Sequence, residues 1–227
     1  MAKEVTLLGF WASPFVFRVK VALQQKGVVD YEYIEEDIFN KSPRLLELNP
    51  VYKKVPVFIH GEKVVNESLI ILEYIDETWE QNPLLPRDPY QRAMARFWAK
   101  YSEELMAKAF MALVLKGEAK EKNAKEFAEG LEKIEGEFKG KSGLLFAEGE
   151  SNIGYLELAF GWILYWLPVW EEAGSFQVLD PQKFPVITEW STKFVNHPLI
   201  KENLPARDQM LVYFRKVSEE FFTLFRA

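Results

Sequence analysis

VTLLGFWASPFVFRVKVALQQKG, Val5 to Gly27, decides how the first part of this chain folds. The apolar run Val5–Phe10 reads as a strand. A small residue, a serine and a proline then interrupt it. After them the apolar spacing changes, with Phe15, Val19, Ala22 and Leu23 on one face. That spacing predicts a helix over Pro14–Lys26, stopped by Gly27 at the position where a left-handed residue ends a helix. Tyr31–Glu35 alternates as a half-buried strand. A helical crossover between two strands implies that they run parallel.

Farther along, Pro43–Leu48 supports a short helix, broken by Asn49-Pro50. VPVFIHGEKVVN, Val55 to Asn66, reads as two short strands around His60-Gly61-Glu62-Lys63, a hairpin by its turn residues. Glu67–Trp79 is helical, with Leu69, Ile70, Leu72, Ile75 and Trp79 apolar. The expected product is an α/β unit with a mixed four-stranded sheet and helices on both faces. Asn82-Pro83, Pro86 and Pro89 then punctuate the chain. Beyond them the strand signal disappears, and helices are expected at 89–116, 120–138, 155–172, 184–196 and 206–224. Segregation of this kind predicts an α/β domain at 1–82 and an all-helical domain at 89–227.

Composition narrows the function. Of the 227 residues, 48% are hydrophobic and 27% charged, a soluble, globular balance. The net charge of −6 argues against nucleic acid, whose phosphates call for a basic face. There is no cysteine, so no disulfide, thiolate metal site or thiol nucleophile exists. Met1-Ala2-Lys3-Glu4 lacks the layout of a signal peptide. A cytoplasmic protein is expected. Ile153–Trp170 is apolar enough to test as a membrane span, but it carries Glu157 and Pro168 and is at the short limit, so it reads as a buried helix.

Ser13 admits two roles. It is a favourable N-cap with Pro14 in the first helical position. Its hydroxyl also suits donation to an anion held at a helix N-terminus. A nucleophilic role needs a neighbouring base, and the two histidines lie far off in sequence, at His60 and His197. Val55-Pro56 is either an ordinary strand start or a cis peptide whose Val55 main chain is free to pair with a peptide-like ligand. Asn66-Glu67-Ser68 is either a simple cap or a site for a zwitterion, with Glu67 facing an ammonium and Ser68 with the helix N-terminus facing a carboxylate. Lys41, Lys53 and Lys54 supply positive charge nearby. Together these groups complement a small peptide with two carboxylates, one ammonium and one thiol. Trp162, Trp166 and Trp170 stand four apart, as a packed helical face would place them. Gly154 with Glu157 at the third helical position looks like a capping arrangement.

ASPFVFRVKVALQQKG, LNPVYKKVPVFIHGEKVVNESLIILEYIDETW and GYLELAFG resemble the tau class of plant glutathione transferases, with matching spacing over essentially the whole chain. The resemblance implies a thioredoxin-like first domain, an all-helical second one, and a typically dimeric enzyme that conjugates glutathione to electrophiles. It implies that Ser13 stabilises the glutathione thiolate and that Lys41 and Lys54 hold the glycyl carboxylate. It further implies that Val55 pairs main chain to main chain beside a cis Pro56, while Glu67 and Ser68 bind the γ-glutamyl end. Two residues depart from the family pattern: Tyr52 where histidine is common, and Glu157 in place of aspartate. No metal or resident cofactor is expected, since glutathione is a co-substrate.

Energetics are consistent with that chemistry. A free thiol has a pKa of about 8.5, and lowering it by about two units requires roughly 2.7 kcal/mol. A hydroxyl donor to an anion gives about 1.5–3 kcal/mol, and a helix N-terminus roughly 0.3–1 kcal/mol. The acceptor should be an apolar electrophile, with Phe10, Trp11, Phe15, Ala107, Met111, Trp166, Tyr213 and Phe214 as candidate walls. Glutathione-dependent peroxidase activity would use the same thiolate. A non-catalytic carrier of hydrophobic metabolites, or a scaffold, would not need the Ser13, Lys41, Lys54, Glu67, Ser68 set.

Overall fold

The computed structural model describes residues 4–139 and 153–224. Four strands, β1 (Val5–Gly9), β2 (Glu32–Glu35), β3 (Val57–His60) and β4 (Lys63–Asn66), alternate with α1 (Pro14–Gln25), α2 (Pro43–Leu48) and α3 (Ser68–Thr78). The sheet order is β2-β1-β3-β4, with β1 parallel to β2 and both β1–β3 and β3–β4 antiparallel. This is the mixed sheet that the strand and helix signals predict.

All five residues of β1 are buried, which is why it reads as a continuous apolar run. Leu7 packs in the large core with Val19, Leu23, Ile71 and Leu72 from α1 and α3. Leu8, on the other face, joins Val57 and Leu45 of α2. A Cβ on Gly9 would lie 2.6 Å from Val16 Cγ1 and 2.7 Å from the Tyr33 ring. Only glycine lets the strand end pass so close to its neighbours.

The remaining helices are α4 (Pro89–Val114), α5 (Gly117–Phe138), α6 (Tyr155–Gly161), α7 (Leu167–Gly174), α8 (Pro185–Asn196), α9 (Pro198–Asn203) and α10 (Arg207–Leu224). Asp88 caps α4 by accepting from the Gln91 N–H at 2.8 Å. The short α9 escapes the periodicity because six residues are too few to establish one.

The expected helix 155–172 differs in a more informative way. Residues Trp162–Trp166 between α6 and α7 form a π-helical turn, closed by the Leu167 N–H on the Trp162 carbonyl. Pro168 lacks an N–H and its ring crowds the preceding turn. The wider turn just before it lets the helix continue to Gly174. The three tryptophans of this run are all buried, as a packed face would place them, but against different partners. Trp162 and Trp170 meet in a tilted contact at 5.8 Å, while Trp166 packs at 5.1 Å on Phe17 of α1.

One apolar core runs through sheet and helical regions without a break. Polar clamps accompany it. The Gln25 side chain both donates to the Ile153 carbonyl and accepts from its N–H, each at 2.8 Å. Buried Lys26 pairs with Asp76 at 2.6 Å, and Asp76 also accepts from the Leu84 and Leu85 amides. Buried Arg18 pairs with Glu103 at 3.0 Å. Among the described residues no helix is long and apolar enough to cross a membrane.

Candidate functional site

Sheet register gathers the sequence motifs. Leu8 lies opposite Val57, Val57 opposite Asn66, and Gly9 opposite Glu35. The chain therefore leaves β1, β2 and β4, and enters β3, at the same end of the sheet. Loops 10–13, 36–42 and 50–56, and the 67–68 corner, all cluster there.

Ser13 is the N-cap of α1, with Pro14 in the first turn. Its Oγ accepts from the Val16 N–H at 3.3 Å, a long bond. A hydroxyl that accepts once still has its own proton to give, and that proton has no acceptor among the described residues. Capping and donation are therefore compatible here. The Ser13 N–H donates to the Phe10 carbonyl at 3.0 Å.

Lys41 is exposed, in a loop fixed one residue later. The Ser42 hydroxyl donates to Glu36 at 2.7 Å while accepting from the Leu45 N–H at 3.0 Å. Glu36 is buried, and its own N–H donates to the Gly9 carbonyl at 2.7 Å. Asn49 plays the same part for Lys54: its amide donates to the Lys54 carbonyl at 2.9 Å and accepts from the Tyr52 N–H at 3.1 Å. The Lys53 N–H closes the turn on the Asn49 carbonyl at 2.8 Å, with Lys53 at φ 55°. The Val55–Pro56 peptide is cis. Among the described residues the Val55 N–H and C=O have no partner.

Glu67 does not act as a simple cap. It stands at the N-cap position with φ 70° and ψ 114°, makes no side-chain cap bond, and leaves its carboxylate exposed. A side chain in that backbone region costs about 1–3 kcal/mol and tends to mark a functional corner. Ser68, the first helical residue, is buried. The Asn66 amide ties this corner to α2 through the Leu48 carbonyl at 3.0 Å.

The expected acceptor walls divide. Phe10, Trp11 and Tyr213 form a ring cluster, with centroids 5.4 to 5.9 Å apart, where α10 meets the Ser13 loop. Burial beside Asp37 pushes the Tyr213 phenol up to about 12, so it stays neutral. Phe15 is half-buried under the Arg18 guanidinium at 5.2 Å, Ala107 is exposed and Met111 half-buried. Trp166 and Phe214 differ from these in packing. Both are buried, Phe214 against Trp170 at 5.6 Å, and the Trp166 indole N–H donates to the Ala12 carbonyl at 2.8 Å.

Glu35, Glu36, Asn49 and the Trp166 N–H escape a sequence reading of the site. Asn49-Pro50 carried a turn signal. The two glutamates sit in an acidic run that gave none. Glu35 accepts from the Trp11 N–H at 2.9 Å and the Tyr33 hydroxyl at 2.6 Å. Away from the sheet, burial pushes the Glu157 carboxyl up to about 8, against the smaller opposing pull of the nearby Gly154 and Glu157 amides. Glu157 stands in the first turn of α6, with Oε1 buried and unpartnered among the described residues.

The family model described as "Glutathione S-transferase, N-terminal domain" matches residues 3–77. Glutathione S-transferase U8 of Arabidopsis thaliana is 45% identical over 212 residues, 92% of each chain. The chain belongs to the glutathione S-transferase family. A tau-class glutathione S-transferase from mango, Mangifera indica, superposes with a TM-score of 0.83 at 41% identity, covering 92% of this chain and 96% of that one. This places the chain in the plant tau class. A rice transferase solved in complex with glutathione gives a TM-score of 0.84 at 32% identity, covering 97% and 99% of the two chains.

Proposed function

We infer that this transferase binds glutathione at the gathered sheet end and conjugates its thiolate to a hydrophobic electrophile. The observation that carries the reading is the Ser13 hydroxyl: capping α1 with its oxygen, its proton uncommitted, at the same sheet end as the open main chain of Val55. Glutathione lies along Val55, adding its cysteinyl main chain as a short strand. Lys41 and Lys54 face its glycyl carboxylate. Glu67 takes the γ-glutamyl ammonium, and Ser68 with the N-terminus of α3 takes the carboxylate.

The thiol gives its proton to solvent, and the thiolate is held by the Ser13 O–H and the N-terminus of α1. It attacks the electrophilic carbon, a new C–S bond forms, and the leaving group departs with the bonding electrons. Phe10, Trp11 and Tyr213 offer the electrophile an apolar face. With a hydroperoxide the same thiolate would attack the terminal oxygen instead: an S–O bond forms, the O–O bond breaks, and the alkoxide leaves as the alcohol, so that the peroxide is reduced and the glutathione sulfur oxidised.

A cytoplasmic homodimer fits this role. Val51, Tyr52, Val64 and Ile70 on the sheet domain, and Tyr90 and Phe97 on α4, are large apolar residues left exposed. Several charges on α3 and α4 are engaged within the chain. Glu73 takes Arg96 at 3.0 and 2.6 Å, Asp76 takes Lys26, and Arg92 donates to the Pro86 carbonyl. Apolar burial is then the main adhesive. The deciding experiment is turnover with glutathione against aryl halides and organic hydroperoxides. Conjugate formation supports the reading; tight binding of hydrophobic ligands without turnover would identify a carrier instead.

A further inference from the structure

The peptide unit that leads into Ser13 is held at both ends. Its N–H, on Ser13, donates to the Phe10 carbonyl at 3.0 Å. Its carbonyl, on Ala12, accepts the Trp166 indole N–H at 2.8 Å. One residue earlier, the Trp11 N–H is fixed by Glu35 at 2.9 Å. The first and last of these partners belong to the sheet domain. Trp166 comes from the helical region, 154 residues away.

Trp166 is fully buried, and Ala12 is 1% exposed. Water cannot replace this bond without repacking, and an unpaired carbonyl there would drive the peptide plane to turn. The plane of that peptide sets the direction of the Ser13 Cα–Cβ bond, and hence where the hydroxyl points. The π turn is part of the device. It sends Trp166 toward Ala12 while Trp162, four residues earlier, donates to Ser102 of α4 at 2.8 Å. π turns recur at functional sites for this kind of re-aiming.

We propose that Trp166 is a positioning residue for the transferase reaction: its indole N–H, through the Ala12 carbonyl, aims the Ser13 hydroxyl at the glutathione sulfur. The helical region thereby tunes a reaction whose donor atoms all lie in the sheet domain. This rests on the thiolate role inferred for Ser13.

The test compares Trp166→Phe with Trp162→Phe. Each keeps an aromatic ring and removes one buried indole N–H from the same helical run, but only the first bond reaches the Ser13 loop. The readouts are the ultraviolet titration of bound glutathione thiolate, the pH profile of kcat/KM, and thermal stability. Trp166→Phe should raise the bound thiol pKa by about one unit and lower kcat/KM about tenfold near neutral pH, with recovery at high pH. Its KM for glutathione should stay within about twofold, because the carboxylates and ammonium keep their partners. Trp162→Phe should lose stability while leaving the thiol titration in place. If Trp166→Phe does not fold, the tryptophan analogue with sulfur in place of the indole N–H, placed at 166, preserves shape and should give the same shift. A Trp166 variant that loses stability but titrates as wild type overturns the proposal, provided Ser13→Ala does shift the titration. A wild-type complex whose thiol titrates like free glutathione overturns the thiolate reading and this proposal together.

Discussion

Ser13→Ala separates capping from catalysis. The cap bond is long, 3.3 Å to the Val16 N–H, so its loss should lie near the lower end of the usual range, about 0.5–1 kcal/mol. Urea unfolding followed by circular dichroism measures that. The catalytic loss is larger. A hydroxyl donor to an anion contributes about 1.5–3 kcal/mol, so the rate near neutral pH should drop roughly tenfold to hundredfold. The pH–rate profile should move up toward the free thiol, and the deficit should shrink as pH rises. Glutathione affinity should change less, since Lys41, Lys54, Val55, Glu67 and Ser68 remain. Steady-state kinetics across pH on an aryl halide, with the variant shown to be folded, decides the matter. A folded variant with wild-type rate and an unmoved profile would refute the argument and leave Ser13 as a cap.

Three further outcomes follow from the geometry. Burial raises the Glu157 carboxyl pKa to about 8 in the folded protein, above its unfolded value of 4.5, so the folded state binds more protons. Stability should therefore fall as pH rises from about 5 to 8, and Glu157→Gln should flatten that slope in thermal melts; an unchanged slope would contradict the assignment. Arg18 is buried with Nε and Nη2 unpartnered among the described residues, and Glu103 is its ion-pair partner. Glu103→Ala, which strands the buried charge, should destabilise more than Arg18→Met, which removes it; urea midpoints in the opposite order would refute this. Light scattering should give a dimer mass for the wild type and a shift toward monomer for Phe97→Glu, whose side chain is exposed on α4; a wild-type monomer would remove the dimer.

The sheet domain was legible because its signals are local. A six-residue apolar run, a period change at Ser13-Pro14, and the His60–Lys63 turn each specify an element without help from elsewhere. Topology then followed from strand order. Ser13, Lys41, Val55 and Glu67 came from spacing and family resemblance, and register brings them to one end of the sheet. The backbone at Glu67 was not legible, because a φ of 70° at a non-glycine residue leaves no compositional trace. Glu36 and Asn49 were missed because each acts through bonds formed only once the loops are folded. The tryptophan stripe was legible as core, and all three rings are buried. Spacing alone does not say which neighbour each ring meets: Trp166 turns to α1, while Trp162 and Trp170 contact each other.

Proton release on binding glutathione tests the central claim most directly. In weakly buffered solution at pH 7, a free thiol with pKa about 8.5 is only a few per cent ionised. A bound thiol lowered by about two units is ionised to roughly three-quarters, so saturating the protein should release about 0.7 proton per site. Ser13→Ala should release much less at equal occupancy. Occupied sites that release no protons, in the wild type as in the variant, would contradict the account.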